Sequence, residues 1–347
     1  MLRHATLVSL ALAATLLAAT PLARAARPQD DVNASARRAS APGASAPDTQ
    51  HPHAAPSTRH PALGGDIRLL VIAPHPDDET LGAGGLIQRV LEARGRVQVV
   101  FLTDGDGYPE GVRVGERASH PKASNYRDYG RRRQYEARAA LERLGMNGDG
   151  ATFLSFPDRG LSRLLGSYWS ERHVAFRSPY TRRDRPPKSE IVVPDTEYRG
   201  EDLTQELARV VATYRPTLIV VPRKEDQHAD HCASWFFLMD ALSDVRRVDA
   251  DYAPDVVNYI VHWYSWPFDG DDGELPPPTG LRGGVSGWMR LPLTAAEQRT
   301  KRAALKRYRT QERVMGWFLD GFARRNEVFS RPAASRIVMP LRRNPCG

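Results

Sequence analysis

Apolar and polar positions along this chain alternate between two rhythms. Short, continuous apolar runs at residues 71–73, 97–102, 152–156, 217–221 and 256–263 read as strands buried on both faces. Between them the apolar positions recur at helical spacing. Leu86, Ile87, Val90 and Leu91 form one stripe, and the stretches 134–144, 203–214 and 232–245 form others. Strand, helix, strand in repetition predicts an α/β fold, Rossmann-like and three-layered, around a mostly parallel sheet. In such sheets ligands gather beyond the carboxyl ends of the strands, so the residues that follow each run matter most.

Two runs end in concentrated chemistry. The first passes through Pro74 into His75-Pro76-Asp77-Asp78-Glu79, one imidazole and three carboxylates. The fourth passes through Pro222 toward Asp226-Gln227-His228-Ala229-Asp230-His231. Two strand ends that each deliver His and Asp predict a mononuclear metal site at the C-terminal ends of the strands. His75 and Asp78 lie three residues apart on one turn and can face one point.

Together the segments resemble the PIG-L/LmbE family of zinc-dependent N-deacetylases, which act on N-acetylglucosamine-type groups. The family's Pro/Ala-His-Pro-Asp-Asp-Glu motif matches residues 74–79, and its His-x-Asp-His motif matches residues 228–231. Weaker echoes are Arg133-Gln134-Tyr135-Glu136, Phe156-Pro157-Asp158, and residues 306–311, which the pattern places inside a last helix. The resemblance implies one zinc per chain, with His75, Asp78 and His231 as ligands and metal-activated water as nucleophile. It implies Asp77 as general base and His228 as the group that protonates the leaving amine or stabilises the oxyanion. Asp230 is placed to orient His228. Arg133 and Asp158 map to substrate contacts, and Asp104, in the loop after the second run, is a further candidate for sugar hydroxyls. Competing enzymatic readings are a deacylase of another N-acyl substrate or a metal-assisted phosphate-ester hydrolase. A catalytically decayed glycan-binding protein is the non-enzymatic one.

Plainer explanations cover some of these residues. An Asp-Asp-Glu cluster at a helix start often serves as a cap, and Glu79 is expected to support the turn rather than bind metal. Residues 81–85 are glycine-rich, but their spacing is no dinucleotide fingerprint, and Asp77 to Glu79 would repel a pyrophosphate. These glycines are expected to let the helix pack closely on the sheet. The aromatic group His262, Trp263, Tyr264 and Trp266 either lines a sugar site or packs the sheet edge. The long connection 160–200, with Tyr168, Trp169, Phe176 and Tyr180, is expected at the rim of the active site, where it would set selectivity.

Composition adds a compartment. Residues 1–25 combine Arg3 and His4, an apolar stretch, and Ala23-Arg24-Ala25, the pattern of a cleaved bacterial signal peptide. Residues 26–64 turn to Ala, Pro, Ser, His and Arg without periodicity and read as a disordered linker. Residues 65–347 suit one large domain. The implied protein is periplasmic or secreted, without a transmembrane anchor in its mature form, and its partner is an amino-sugar glycan or glycoconjugate. The formal net charge is +8, of which +3 comes from six arginines and three aspartates in residues 1–64. The remaining excess favours anionic envelope glycans, and no basic-aromatic motif accompanies it to indicate nucleic acid. Export permits a disulfide between the two cysteines, Cys232 and Cys346, although the motif alone casts Cys232 as a small hydrophobe.

Overall fold

The computed structural model describes residues 65–172, 174–268, 273–281, 287–332, 339, 341 and 343–347. The predicted signal peptide and linker lie outside these residues. Five strands, β1 (Arg68–Ala73), β2 (Arg96–Thr103), β3 (Ala151–Phe156), β4 (Leu218–Pro222) and β5 (Asp255–Tyr259), form one sheet in the order β3-β2-β1-β4-β5. Every pairing in it is parallel. The chain leaves β1 toward β2 on one side and returns to β4 on the other. The switch point therefore lies between the C-terminal ends of β1 and β4, where the two His/Asp clusters begin.

Helices α1 (Asp78–Glu92), α2 (Pro109–Gly115), α3 (Ala123–Arg143), α4 (Leu161–Leu164), α5 (Gly200–Tyr214) and α6 (Ala229–Val248) fill the connections. After β5 come a short strand β6 (Met289–Pro292), helices α7 (Ala295–Leu305) and α8 (Arg309–Asp320), and β7 (Asn326–Phe329), which pairs antiparallel with β6. Alternate strand residues feed two cores. Leu69, Val71, Val99, Phe101 and Val220 pack with α1, α3, α7 and α8, whereas Leu70, Ile72, Val100, Ile219 and Val221 pack with α5 and α6. Close approach on the first face requires Gly82: a Cβ there would sit 2.2 Å from the Tyr259 ring.

Several boundaries differ from the sequence pattern. Helix α3 starts well before the expected residue 134, because its first turns bury Tyr129 and Gly130 rather than an aliphatic stripe. Helix α6 starts at Ala229, which puts Asp230 and His231 in its first turn. Strand β5 ends at Tyr259, leaving His262 and Trp263 in the loop. Residues 306–308 link α7 and α8 and are not the interior of one helix. Trp169 and Phe176, expected at the rim, are buried against α6 and its neighbours, with Trp169 stacked on Phe237.

A candidate metal centre at the sheet switch point

The turn from β1 into α1 is unusual. Asp77 is the N-cap residue, with φ at 137°, yet its carboxylate caps nothing. Such a backbone conformation is costly for a residue with a Cβ, and strain of this kind collects at functional sites. It turns the carboxylate toward Arg133, whose Nη2 lies 3.2 Å from Asp77 Oδ2. Meanwhile Glu79 accepts from the Asp77 backbone N–H and from the hydroxyls of Thr80 and Tyr308, so it braces the turn as expected.

Three donor atoms meet beside this turn. His75 Nδ1 lies 3.1 Å from Asp78 Oδ2, His231 Nε2 lies 3.1 Å from the same oxygen, and the two nitrogens are 3.3 Å apart. Donors on a tetrahedral zinc, with bonds near 2.0–2.1 Å, are separated by about 3.3 Å. The triangle thus fits one zinc and leaves a fourth position open. Other donor triads in the same cluster, His75-His228-His231, Asp78-His231-His262 and His75-Asp158-Asp230, span up to 4.8 Å. Each shares a histidine with the tighter tripod, which matches zinc distances best.

Carboxylates behind the tripod set its histidines. Asp226 Oδ2 lies 3.2 Å from His231 Nδ1 and also accepts from the backbone N–H groups of Val261 and His262. That contact holds the His231 proton on Nδ1 and leaves Nε2 for a metal. Asp158 Oδ1 sits 3.2 Å from His75 Nε2, although that nitrogen lacks an aligned hydrogen bond, so the contact is electrostatic. Burial pushes the His231 imidazole down, but Asp78 and Asp226 outweigh it and hold the group at about 9. Against the same upward push of burial on the acids, His231 draws Asp78 well below the carboxylate range and Asp226 to about 2. A field this negative around two imidazoles is what a divalent cation would neutralise.

The groups facing the cleft behave differently. Burial, with Asp78 and Glu79 adding to it, lifts Asp77 to about 7 against the pull of Arg133. Burial and the neighbouring His75, His231 and His262 press His228 well below its usual value, so it is neutral. Its Nδ1 accepts from the Asp230 backbone N–H at 3.3 Å. The proton therefore resides on Nε2, and His228 lines the cleft as a neutral donor. The cleft, about 180 Å³, is also lined by Tyr108, Arg159, His262, Gln311, Met315 and Phe318.

Three of the predicted site residues, Asp230, Asp158 and Asp104, face elsewhere than expected, and a fourth, Arg133, lines the cleft with its guanidinium already engaged. The Asp230 carboxylate does not reach round to His228: both oxygens accept backbone N–H groups, from Arg159 at 2.6 Å and Leu161 at 3.0 Å. It pins the segment after β3 to α6. Arg133 borders the cleft, but its guanidinium is committed to Pro76 O, Gly105 O and Asp77. Gly105 is needed there, since its φ is +61° and a Cβ would lie 1.7 Å from Arg133 Nη1. Asp158, buried, accepts from Gly107 N at 2.6 Å and faces His75 rather than open cleft. Asp104 is buried among Ser155, Gln134 and Glu190 and is not part of the cleft wall. Trp266 is core, its indole N–H donating to Pro276 O. Cys232 is not free: it is bonded to Cys346. Asp226, Tyr108 and Arg159 had no role in the sequence reading. Asp226 alone left a signal, a carboxylate two residues before His228 and just after an apolar strand.

Residues 70–242 match the PIG-L family model, described as GlcNAc-PI de-N-acetylase. The chain is 28% identical over 203 residues to the 1D-myo-inositol 2-acetamido-2-deoxy-alpha-D-glucopyranoside deacetylase of Mycolicibacterium smegmatis, covering 57% of this chain and 58% of that protein. The enzyme of the same name from Kribbella flavida is 30% identical over 155 residues, 45% of this chain and 46% of that one. The chain thus spans about half the length of the curated relatives it matches. Among solved structures, the conserved protein TT1542 from Thermus thermophilus is 21% identical with a TM-score of 0.44, over 78% of this chain and 97% of that one. A strand-end motif pair in the family's order and the family model agree. The domain that carries the site belongs to the PIG-L family.

Proposed function

We propose that this chain is an exported, zinc-dependent hydrolase that removes the acetyl group from an N-acetylglucosamine-type amino sugar or glycoconjugate. One observation carries the reading. His75 and Asp78 of a zinc-sized tripod, Asp77 on its strained turn with its pKa lifted to about 7, and a neutral histidine donor all border a single cleft, with His231 buried directly behind His75 and Asp78. His75, Asp78 and His231 would hold the zinc. When bound, the ion supplies Lewis-acid polarisation and makes water acidic near neutral pH.

The remaining steps fall to the chain itself. Asp77, with its pKa near the working pH, takes a proton from the attacking water as the new C–O bond forms. Arg133 fixes which way that carboxylate points. Negative charge gathers on the acetyl oxygen, and His228 Nε2–H is the cleft-facing donor to receive it. The C–N bond then breaks as the proton held by Asp77 passes to the amine nitrogen, giving acetate and a free amine.

The disulfide between Cys232 and Cys346 supports export, since such bonds persist in oxidising compartments. The composition of residues 1–25 supports it independently. The relatives' names support an amino-sugar substrate. The experiment is acetate release by the zinc-loaded mature protein across N-acetylglucosamine, its inositol conjugate, chito-oligomers and peptidoglycan fragments. Release that chelation abolishes and zinc restores supports the reading. A zinc-loaded protein inactive on the whole panel refutes the amino-sugar assignment.

A further inference from the structure

An aromatic shelf runs outward from the cleft. His262 and Phe318, both cleft-lining, stack with their rings 5.5 Å apart and 8° from parallel. Phe318 meets Phe268 at 6.2 Å and Trp317 at 6.0 Å, and Phe268 lies 5.1 Å from Trp317. The outer rings are not packed away: Trp317 is 68% exposed and Phe268 40%. Large apolar rings exposed side by side are unusual on a protein surface and mark a binding face. Here the face begins at the catalytic cleft and continues into solvent.

We infer that the shelf formed by Phe268, Trp317 and Phe318 binds the sugar residues next to the one being deacetylated, so that the preferred substrate is an oligomeric glycan rather than a monosaccharide. The inference rests on the amino-sugar reading above. Pyranose rings present an apolar face of C–H groups, which aromatic faces bind, while their hydroxyls stay in water. Continuity with the cleft selects this occupant. The innermost ring of the shelf, Phe318, also lines the cleft that would hold the reacting sugar, so a glycan chain that leaves the site along this ring meets Phe268 and Trp317 next.

The test separates the shelf from the chemistry. In an Asp77→Asn background, calorimetry measures binding of N,N′,N″,N‴-tetraacetylchitotetraose and of N-acetylglucosamine to the zinc-loaded mature protein. Trp317→Ala is expected to weaken the tetramer about three- to tenfold and to reduce its preference over the monosaccharide by the same factor. Trp317→Phe, which keeps a ring, is expected to restore most of it. In the active enzyme the ratio of kcat/KM for tetramer to monomer should fall in parallel. Equal affinities for tetramer and monosaccharide in the parent protein would overturn the proposal, even with deacetylation intact. So would a Trp317→Ala variant that keeps the tetramer but loses binding to phosphatidylglycerol vesicles, which would make the shelf a lipid contact. Length-selective binding lost in Trp317→Ala would sustain the shelf even if no acetate were ever released.

Discussion

Asp226→Asn is the substitution that probes the architecture most sharply. Asp226 never touches the cleft, yet its two oxygens take four contacts: His228 N at 3.0 Å, Val261 N at 2.8 Å, His262 N at 3.1 Å and His231 Nδ1 at 3.2 Å. Asparagine keeps the shape and one acceptor oxygen. It removes the charge behind His231, and because Oδ2 already takes Val261 N and His262 N, the amide oxygen stays on that side and the amide nitrogen falls against His228 N. A neutral oxygen holds the His231 Nδ1 proton less firmly and leaves Nε2 a weaker donor to a metal. Removal of a carboxylate that orients a metal-binding histidine lowers metal affinity about 10- to 100-fold, or about 1.4–2.8 kcal/mol. Competition against a chromophoric chelator at pH 7.5 measures it. Circular dichroism and melting of the zinc-free variant control for folding, since losing a buried charge-assisted contact also destabilises. Zinc affinity within twofold of the parent, in a folded variant, would refute the orienting role and the tripod assignment with it.

Four further outcomes are expected. Asp77→Asn should bind zinc normally and lose about 10²- to 10⁴-fold in kcat; metal analysis with acetate release reads both. Asp104 is lifted to about 6 by burial and by Glu190, so the folded state holds its proton more tightly than the unfolded chain does. Stability from this group is therefore fully present below about pH 4 and lost as pH rises to about 6, on the order of 2–3 kcal/mol. Asp104→Asn should thus melt higher than the parent at pH 7 and converge with it near pH 4; an unchanged gap across that range would refute the shift. Cys346→Ser, which opens a bridge of sequence separation 114, should cost about 2–5 kcal/mol, read as a lower melting temperature that reductant reproduces in the parent alone. Finally, Arg133→Lys keeps the charge but not the fork that joins Pro76, Gly105 and Asp77, and should lower kcat more than it raises KM.

How much of this was legible in the sequence follows the physics of each signal. Apolar runs declare buried parallel strands, so all five strands of the main sheet were placed to within a few residues. The tripod was legible because two motifs sit directly after two such runs, and the sheet order puts β1 beside β4. Helix α3 was truncated since its early turns bury a tyrosine, a glycine and later an arginine, none of which an aliphatic periodicity detects. Asp230 and Asp158 were assigned by proximity in sequence or motif, but a carboxylate's partners depend on where backbone N–H groups converge. That convergence is a tertiary fact: Arg159 and Leu161 come from the β3 end to meet α6. Asp226 was missed for the mirror reason, since its importance lies in contacts with Val261 and His262, both distant along the chain. The aromatic shelf escaped likewise, because Phe268 and α8 meet only in space.

Anomalous diffraction at the zinc edge from crystals of the zinc-loaded protein tests the central claim most directly. One peak per chain is expected, about 2.0–2.1 Å from His75 Nδ1, Asp78 Oδ2 and His231 Nε2, with Asp77 and His228 beside it and not bound to it. A peak seated instead on Asp78, His231 and His262, or on His75, Asp158 and Asp230, would contradict it, as would a folded, zinc-soaked chain with no peak at all.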